Sequence, residues 1–188
     1  NYLRERHTDT AIVLYSIVYG RFREGMSEEE KEECATGYLK AGDVYYEQGS
    51  YTNALEMYIN GLKICESCKK PDLMLFYKNI GNIYCIFGDY ERGINYYETG
   101  YGFHEKYPNR KVECDLLSNL TGMCSFIKET DKAKEYYKMA EKLMQPGDTT
   151  KIYISYFNWG LILASENKYE EAVRYFSKAA DYTHLPEY

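Results

Sequence analysis

Residues 77–100 read YKNIGNIYCIFGDYERGINYYETG, and the same order of residue types recurs along the chain. The order is an aromatic residue, an apolar–small pair, a second aromatic, a turn with tyrosine, a small residue, an aromatic and a final small residue. The small residue after the turn marks the period most clearly. Its positions are 43, 39, 40 and 39 residues apart, and a fixed period of this size predicts a stacked array of structural repeats. These positions are Ala11, Ala54, Gly93, Ala133 and Ala172.

This order of residue types resembles the tetratricopeptide repeat, in which each repeat is a pair of antiparallel helices, A and B. The resemblance covers nearly the whole chain, and it implies an all-α, right-handed superhelix. Small residues on helix A, such as Gly42 and Gly81, would face small residues on helix B and let the two helices approach closely. The period exceeds the basic repeat of about 34 residues, so we expect longer helices and longer connections.

The pattern predicts nine helices and no strand, because no segment alternates polar and apolar residues with period two. Ser27 and Glu30 form a capping-box pattern that starts one of them. Gly49, Gly88 and Asn167 stand where an A helix must end and tolerate a left-handed backbone, whereas Lys128 makes the third turn the least certain. The predicted helices lie near residues 9–22, 28–48, 51–67, 73–87, 90–106, 110–127, 131–144, 150–165 and 169–182.

We expect residues 1–188 to form one solenoid domain that starts with a half repeat at residues 1–26. Four repeats then follow at residues 27–70, 71–109, 110–147 and 148–188, the last of them truncated. A proline, which cannot continue a helix, follows the predicted B helix of each of these repeats. The four are Pro71, Pro108, Pro146 and Pro186. The first helix looks like a B helix without its A helix, which suggests a segment cut from a longer protein.

Composition argues against several classes of function. The chain carries 29 acidic and 23 basic residues, for a net charge of −6, and its basic residues are dispersed. Because a nucleic-acid interface needs a basic stripe, we expect no direct contact of this segment with nucleic acid. No apolar run is long enough to span a membrane, and no secretory signal is present.

The six cysteines are spread along the chain, and only Cys65 and Cys68 lie close together. This pair falls at a predicted helix C-terminus, where the helix dipole opposes a thiolate. The reactive cysteine pair of a thiol oxidoreductase lies instead at a helix N-terminus, where the dipole lowers the thiol pKa. A metal site needs about four ligands, and no second pair stands near. We therefore expect structural thiols and no metal site. Unpaired cysteines favour a reducing compartment such as the cytoplasm, and a periplasmic location stays open if the intact protein carries a signal or membrane span.

No pattern of catalytic residues is present. The chain has no nucleophile elbow, no zinc-protease motif and no phosphate-binding loop. We therefore predict no catalytic residues, no cofactor and no enzymatic activity.

The resemblance implies that the A helices line a concave groove that binds a protein or peptide segment. Lys78 would attract a carboxylate, and Tyr46 and Phe157 would provide apolar anchors. Asn79, Asn119 and Asn158 occupy one repeat position, and each amide offers a donor and an acceptor. Two interpretations of this asparagine ladder stay open, namely binding of a peptide backbone and hydrogen bonding between repeats. The predicted groove residues are Tyr46, Lys78, Asn79, Asn82, Asn119, Phe157 and Asn158.

Some family members hold a C-terminal carboxylate in a clamp of five side chains. Lys78, Asn82 and Asn119 match the first three positions of that clamp, but Ile154 and Asn158 replace its last two cations.

The sequence therefore predicts a non-catalytic binding module. Its Tyr- and Asn-rich style, as in residues 79–84, resembles the sensory repeats of bacterial transcriptional and signalling regulators. The alternatives are a stand-alone scaffold or assembly adaptor, and a sensor of a small ligand. A homodimer through uncovered terminal helices is a further open question.

Overall fold

The computed structural model describes residues 2–23, 25–69, 72–144 and 149–182. Within these ranges all regular secondary structure is α-helical, as predicted. The helices are α1 (Tyr2–Tyr19), α2 (Glu28–Glu47), α3 (Tyr51–Cys65), α4 (Leu73–Ile86), α5 (Tyr90–Tyr101), α6 (Arg110–Phe126), α7 (Thr130–Leu143), α8 (Thr149–Ser165) and α9 (Tyr169–Tyr182).

The helices form four consecutive pairs, each with an A helix followed by a B helix. The pairs α2–α3, α4–α5, α6–α7 and α8–α9 pack most extensively, and α1 packs on α2. Each pair falls within one of the four proposed repeats. The B helix of each pair also contacts the next A helix, and α6 contacts both α4 and α8, so α4, α6 and α8 form one layer. The result is an α-solenoid, as the resemblance implies.

Four turns that join helix A to helix B share one backbone conformation. Gly49, Gly88, Lys128 and Asn167 have φ angles of 75°, 81°, 65° and 63°, all in the left-handed region. In each turn the next backbone N–H bonds a carbonyl five residues back, at 2.8–2.9 Å. The third turn, which Lys128 made uncertain, therefore closes like the others. Lys128 adopts there a conformation that glycine tolerates best.

Two helix ends differ from the sequence prediction by more than three residues. Helix α1 begins at Tyr2, seven residues before the predicted start, and α5 ends at Tyr101 rather than near residue 106. Gly102 caps α5, and the chain then makes successive turns in which the backbone N–H of Phe103 bonds the carbonyl of Gly100 at 3.2 Å. The Phe103 ring stacks on Tyr77 of α4, 5.7 Å between centroids, which holds this segment against the preceding A helix.

The capping box is present, since the Ser27 side chain accepts from the backbone N–H of Glu30 and the Glu30 carboxylate accepts from that of Ser27. Of the four prolines only Pro108 can be placed, between the α5 turns and α6. Pro71, Pro146 and Pro186 lie outside the described residues.

In three of the four pairs, close packing depends on a glycine of helix A that lies under an aromatic ring of helix B. The Tyr97 ring covers Gly81, where an added Cβ would lie 2.6 Å from the ring edge. Tyr58 covers Gly42 and Phe176 covers Gly160 in the same way. The predicted small residues on helix A therefore make room for a ring. In the third pair Thr121 replaces the glycine.

The third pair uses its aromatic residue differently. The Tyr137 ring lies 4.9 Å from the ring of Trp159 on α8, and its hydroxyl is 2.8 Å from Oγ of Ser155. Tyr137 thus joins the third repeat to the fourth instead of covering a glycine of its own A helix.

Candidate binding groove

Helices α4, α6 and α8 enclose an open cavity of about 400 Å³, here called the central groove. Five of the seven predicted groove residues line it, and Tyr46 and Asn79 do not. The lining residues are Lys78, Asn82, Tyr97, Asp115, Ser118, Asn119, Gly122, Met123, Ile154, Phe157, Asn158 and Leu161.

The repeat period explains why these residues meet. Residues three or four positions apart lie on one face of a helix, so Asp115, Ser118 and Gly122 form one stripe on α6. The equivalent stripe on α8 contains Ile154, Phe157 and Leu161. The two A helices are neighbours, and their stripes form the floor and one wall of the groove.

Lys78 does not present an unpaired ammonium group to the groove. Its Nζ lies 3.4 Å from Oδ2 of Asp115, in an ion pair that joins α4 to α6. The two side chains are only 17% and 27% exposed, so the pair is partly shielded from water. A ligand carboxylate would have to compete with Asp115 for Lys78. Together with the missing cations at Ile154 and Asn158, this arrangement opposes a carboxylate clamp.

The asparagine side chains link successive A helices. Oδ1 of Asn82 accepts two hydrogen bonds, from the Tyr97 hydroxyl at 2.8 Å and from Nδ2 of Asn119 at 2.9 Å. One repeat earlier, Oδ1 of Asp43 accepts in the same way from the Tyr58 hydroxyl at 2.9 Å and from Nδ2 of Asn79 at 3.3 Å. Each acceptor therefore joins the B helix of its own pair to the A helix of the next pair.

The third member of the ladder bonds to backbone instead. Gly122 stands at the repeat position of Asp43 and Asn82 and has no side chain to accept a bond. Nδ2 of Asn158 donates to the backbone carbonyl of Ser118, at 3.3 Å, and Asn158 is only 6% exposed. All three ladder amides thus donate to the preceding A helix. This finding favours the interpretation that the ladder sets the stacking of the repeats.

The tyrosines of these networks stay protonated. Burial raises the pKa of Tyr97 far above its ordinary value of 10.0, and the neighbouring Cys85 adds to the effect. Burial and the Asp43 carboxylate raise the pKa of Tyr58 similarly. Both hydroxyls are therefore hydrogen-bond donors throughout the neutral range.

The apolar part of the groove lies on α8 and the end of α6. Phe157 is 40% exposed, and its ring is held by Phe176 at 5.5 Å and Tyr153 at 6.2 Å between centroids. Met123 and Leu161 stand beside it in the groove lining. A ring that is held firmly yet remains half exposed can accept an apolar side chain at little entropic cost.

Two predicted residues lie elsewhere. Tyr46 is half-buried in the first pair, with its ring edge-on to Tyr51 at 5.5 Å. Asn79 bonds Asp43 on α2, on the side of α4 away from the groove lining. Tyr97, Asp115 and Met123 also line the groove and were not predicted from the sequence. The period could have indicated Asp115, because Ile154 stands at the same repeat position.

The cysteines have the character of buried structural thiols. None of the six described cysteines forms a disulfide, five of them are buried and Cys85 is partly buried. Burial raises the pKa of Cys65 to about 12 and that of Cys124 to about 11. Cys65 ends α3 and Cys68 lies in the turn that follows. In the part of the chain that the structure describes, no three His, Cys, Asp or Glu side chains group as metal ligands. Over the same residues, no helix combines the length and apolar character needed to cross a bilayer.

Comparison with known proteins supports the architecture. The tetratricopeptide repeat model matches residues 35–68 and 153–183. No curated protein matches the chain by sequence. BtubC from P. vanneervenii has a similar structure, with a TM-score of 0.78 at 16% identity over 99% of this chain and 79% of that chain.

Two further solved structures share the fold. The Rap conjugation gene regulator of plasmid pLS20, in complex with the Phr* peptide, gives a TM-score of 0.66 at 18% identity. That match covers 84% of this chain and 46% of the regulator. YrrB, a TPR protein with an unusual peptide-binding site, gives a TM-score of 0.55 at 15% identity. That match covers 83% of this chain and 76% of YrrB. At these identities the likeness shows the fold alone. The chain therefore has the tetratricopeptide-repeat fold, and residues 35–68 and 153–183 match the tetratricopeptide repeat by sequence as well.

Proposed function

We propose that this chain is a non-catalytic binding module whose central groove takes an extended segment of a protein or peptide. The observation that carries the proposal is the half-exposed Phe157 ring, which faces an open cavity of about 400 Å³ between three A helices. Concave sites of this size with an apolar wall and a few polar groups are typical of ligand recognition.

The chemistry of the groove favours a ligand whose part inside the groove carries no charge. Lys78 and Asp115 neutralise each other, so a charged ligand group would displace one of the two partners. The ladder amides already donate to neighbouring helices, and Asn82 already accepts two bonds. Recognition therefore depends mainly on an apolar side chain that packs on Phe157, Met123 and Leu161.

We further propose that the repeats form the partner-binding region of a larger bacterial transcriptional or signalling regulator. The structure of a Rap conjugation gene regulator in complex with the Phr* peptide supports this, because that regulator shares the fold over 84% of this chain and binds a peptide. The net charge of −6 supports a role without direct contact to nucleic acid. Six cysteines without a disulfide among the described residues support a reducing compartment such as the cytoplasm.

A displayed library of random twelve-residue peptides, selected on the 188-residue chain, tests the groove. The selected peptides should share one apolar position, and fluorescence anisotropy should show binding at least about tenfold weaker to Phe157→Ala. Gly122→Leu is a second variant, which fills the groove without removing a native side chain. Phe126→Ala serves as the control, because this exposed phenylalanine lies on α6 outside the groove lining.

The proposal fails if the selected peptides bind both groove variants as well as the unchanged protein. Asn119→Ala separates the two interpretations of the ladder. Unchanged affinity with a lowered melting temperature would assign Asn119 to stacking, and lost affinity at an unchanged melting temperature would assign it to the ligand.

A further inference from the structure

The central groove contains a gap in the hydrogen-bond network that joins successive A helices. In the first two pairs a side-chain oxygen accepts from a tyrosine of its own pair and from an asparagine of the next A helix. Those oxygens belong to Asp43 and Asn82. Gly122 stands at the same repeat position on α6 and provides no such oxygen. The third pair therefore lacks an acceptor that both earlier pairs have.

The two side chains that would donate to this acceptor are arranged differently in the third pair. The Tyr137 hydroxyl pairs with Oγ of Ser155 on α8, at 2.8 Å. Nδ2 of Asn158 donates to the backbone carbonyl of Ser118 at 3.3 Å, and this bond fixes the orientation of the amide. An amide nitrogen carries two hydrogens, and the second N–H of Asn158 has no acceptor among the described residues.

The oxygen of the same amide faces the gap. Oδ1 of Asn158 lies 3.9 Å from the point that a Cβ on Gly122 would occupy, and Cδ1 of Leu161 lies 3.7 Å from that point. Asn158 is only 6% exposed, yet no described residue donates to this oxygen. Every fully enclosed side-chain nitrogen or oxygen in the described ranges has a partner, so Oδ1 is open to the groove. A ligand that covers it must donate a hydrogen bond, because an unsatisfied buried acceptor is costly.

A primary amide matches the donor and the acceptor that Asn158 presents. Its NH₂ group donates to Oδ1, and its carbonyl oxygen accepts from Nδ2. A carboxylate has no hydrogen to donate, and an ammonium group has no acceptor. A trans peptide bond directs its N–H and C=O to opposite sides, so a ligand backbone is a poorer match. In the second pair, the carboxamide of Asn82 already fills the equivalent position.

We propose that the gap over Gly122 binds the side-chain amide of an asparagine or glutamine in the bound segment, a proposal that rests on the function proposed above for the groove. Because Asn158 is almost fully buried, a side chain reaches it more easily than a backbone does. Leu161 borders the gap and also stands beside Phe157 in the groove lining. The amide and the apolar side chain of the segment therefore bind next to each other.

The displayed library of twelve-residue peptides gives the first measurement. Peptides selected on the 188-residue chain should carry asparagine or glutamine at a fixed distance from their shared apolar position. Each selected peptide is then compared with a version in which leucine replaces the asparagine, or methionine the glutamine. These replacements keep the size of the side chain and remove its amide. In fluorescence anisotropy the amide peptide should bind at least about fivefold tighter, as expected for one or two hydrogen bonds.

Gly122→Asn is the test variant, because it supplies the missing amide from the chain itself and removes no native side chain. The preference for the amide peptide should disappear. Gly88→Asn is the matched control, since Gly88 lies in a turn outside the groove lining and an added Cβ there meets nothing within 4 Å. Asparagine is also the residue of the equivalent turn at Asn167. This control should keep the preference, and circular dichroism checks that both variants are folded.

Phe157→Ala distinguishes failure of the amide site from failure of the groove. It should weaken the amide peptide and its apolar version alike, so that the ratio of their affinities is kept. Peptides that depend on Phe157 but show no preference for the amide overturn the amide site alone. A preference that persists in Gly122→Asn overturns it as well, because the amide would then bind elsewhere. Selection of no peptide, or of peptides that need neither Phe157 nor Gly122, overturns both proposals.

Discussion

The Tyr97 hydroxyl on α5 donates a 2.8 Å hydrogen bond to Oδ1 of Asn82 on α4, and the same oxygen accepts from Asn119 on α6. One side-chain oxygen therefore holds three helices of two successive repeats. Tyr58, Asp43 and Asn79 make the same arrangement one repeat earlier. The recurrence shows that these polar groups help to set the distance between repeats.

Asn82→Ala should therefore lower the free energy of unfolding markedly. The change leaves the buried Tyr97 hydroxyl and the Asn119 amide without this acceptor, and an unsatisfied buried donor costs about 1–3 kcal/mol. Urea denaturation followed by circular dichroism measures the effect. Asn95→Ala, at an exposed position of α5, is the control and should leave the free energy of unfolding nearly unchanged. Equal effects of the two changes would mean that the Asn82 network contributes nothing to stability.

Gly81→Ala and Gly122→Ala should change stability in opposite directions. An added Cβ at Gly81 would lie 2.6 Å from the Tyr97 ring and 3.0 Å from the backbone oxygen of Gly93. Overpacking of this kind costs about 1–3 kcal/mol. At Gly122 the nearest atoms are 3.7 Å away, so alanine should stabilise α6 by about 0.5–1 kcal/mol through its higher helix propensity.

Thermal unfolding of the two variants provides the comparison. A melting temperature that rises for Gly122→Ala and falls for Gly81→Ala would show that the Tyr97 ring needs a residue without a side chain beneath it. A rise for both would show that Tyr97 can move away without loss.

The order of the helices could be predicted from the sequence, because glycine, asparagine and other small residues recur where the backbone must turn or where two helices must approach closely. Gly88 ends a helix through a left-handed backbone, and Gly81 makes room for a ring. The α5 end was less predictable. It depends on the stacking of Phe103 on Tyr77, which is a contact between helices that no local pattern contains.

The groove was predicted only in part for a related reason. The repeat frame predicted that Lys78, Asn119 and Phe157 share one surface, and all three line the central groove. It could not show that Asp115 lies within 3.4 Å of Lys78, since that depends on the distance between two A helices. The two interpretations of the ladder could not be separated either, because one amide can bond a peptide or a neighbouring helix equally well.

Lys128→Gly should stabilise the protein, although it removes a side chain. Lys128 has a φ angle of 65°, which costs a non-glycine residue about 1 kcal/mol. The other turns use glycine or asparagine at this position. The turn hydrogen bond, in which the backbone N–H of Glu129 donates to the carbonyl of Cys124, stays intact because it involves only the backbone. The free energy of unfolding in urea should rise by up to about 1 kcal/mol.

Lys138→Gly provides the contrast for this prediction. Lys138 is exposed in the middle of α7, where glycine should cost about 1 kcal/mol. A loss of stability in both variants would mean that the Lys128 side chain makes a contribution larger than its backbone strain.

The free energy of unfolding should fall between about pH 9 and about pH 12. Burial raises the pKa of Cys65 from 9.0 to about 12 and that of Tyr137 from 10.0 to about 12. Between about pH 9 and about pH 12 the unfolded chain releases these protons while the folded chain retains them. The unfolded state then binds fewer protons, so the free energy of unfolding falls as the pH rises through this window.

Urea denaturation at about pH 8 and about pH 11 measures this fall, and Tyr137→Phe isolates one contribution to it. Phenylalanine keeps the ring beside Trp159 but loses the hydroxyl that pairs with Ser155, so the variant should be less stable by about 1 kcal/mol near pH 8. Near pH 11 the difference between variant and unchanged protein should shrink, because the variant has no phenol to ionise in the unfolded chain. A difference that stays constant across the window would mean that Tyr137 ionises as readily in the folded protein as in the unfolded one, and that its hydroxyl is open to water.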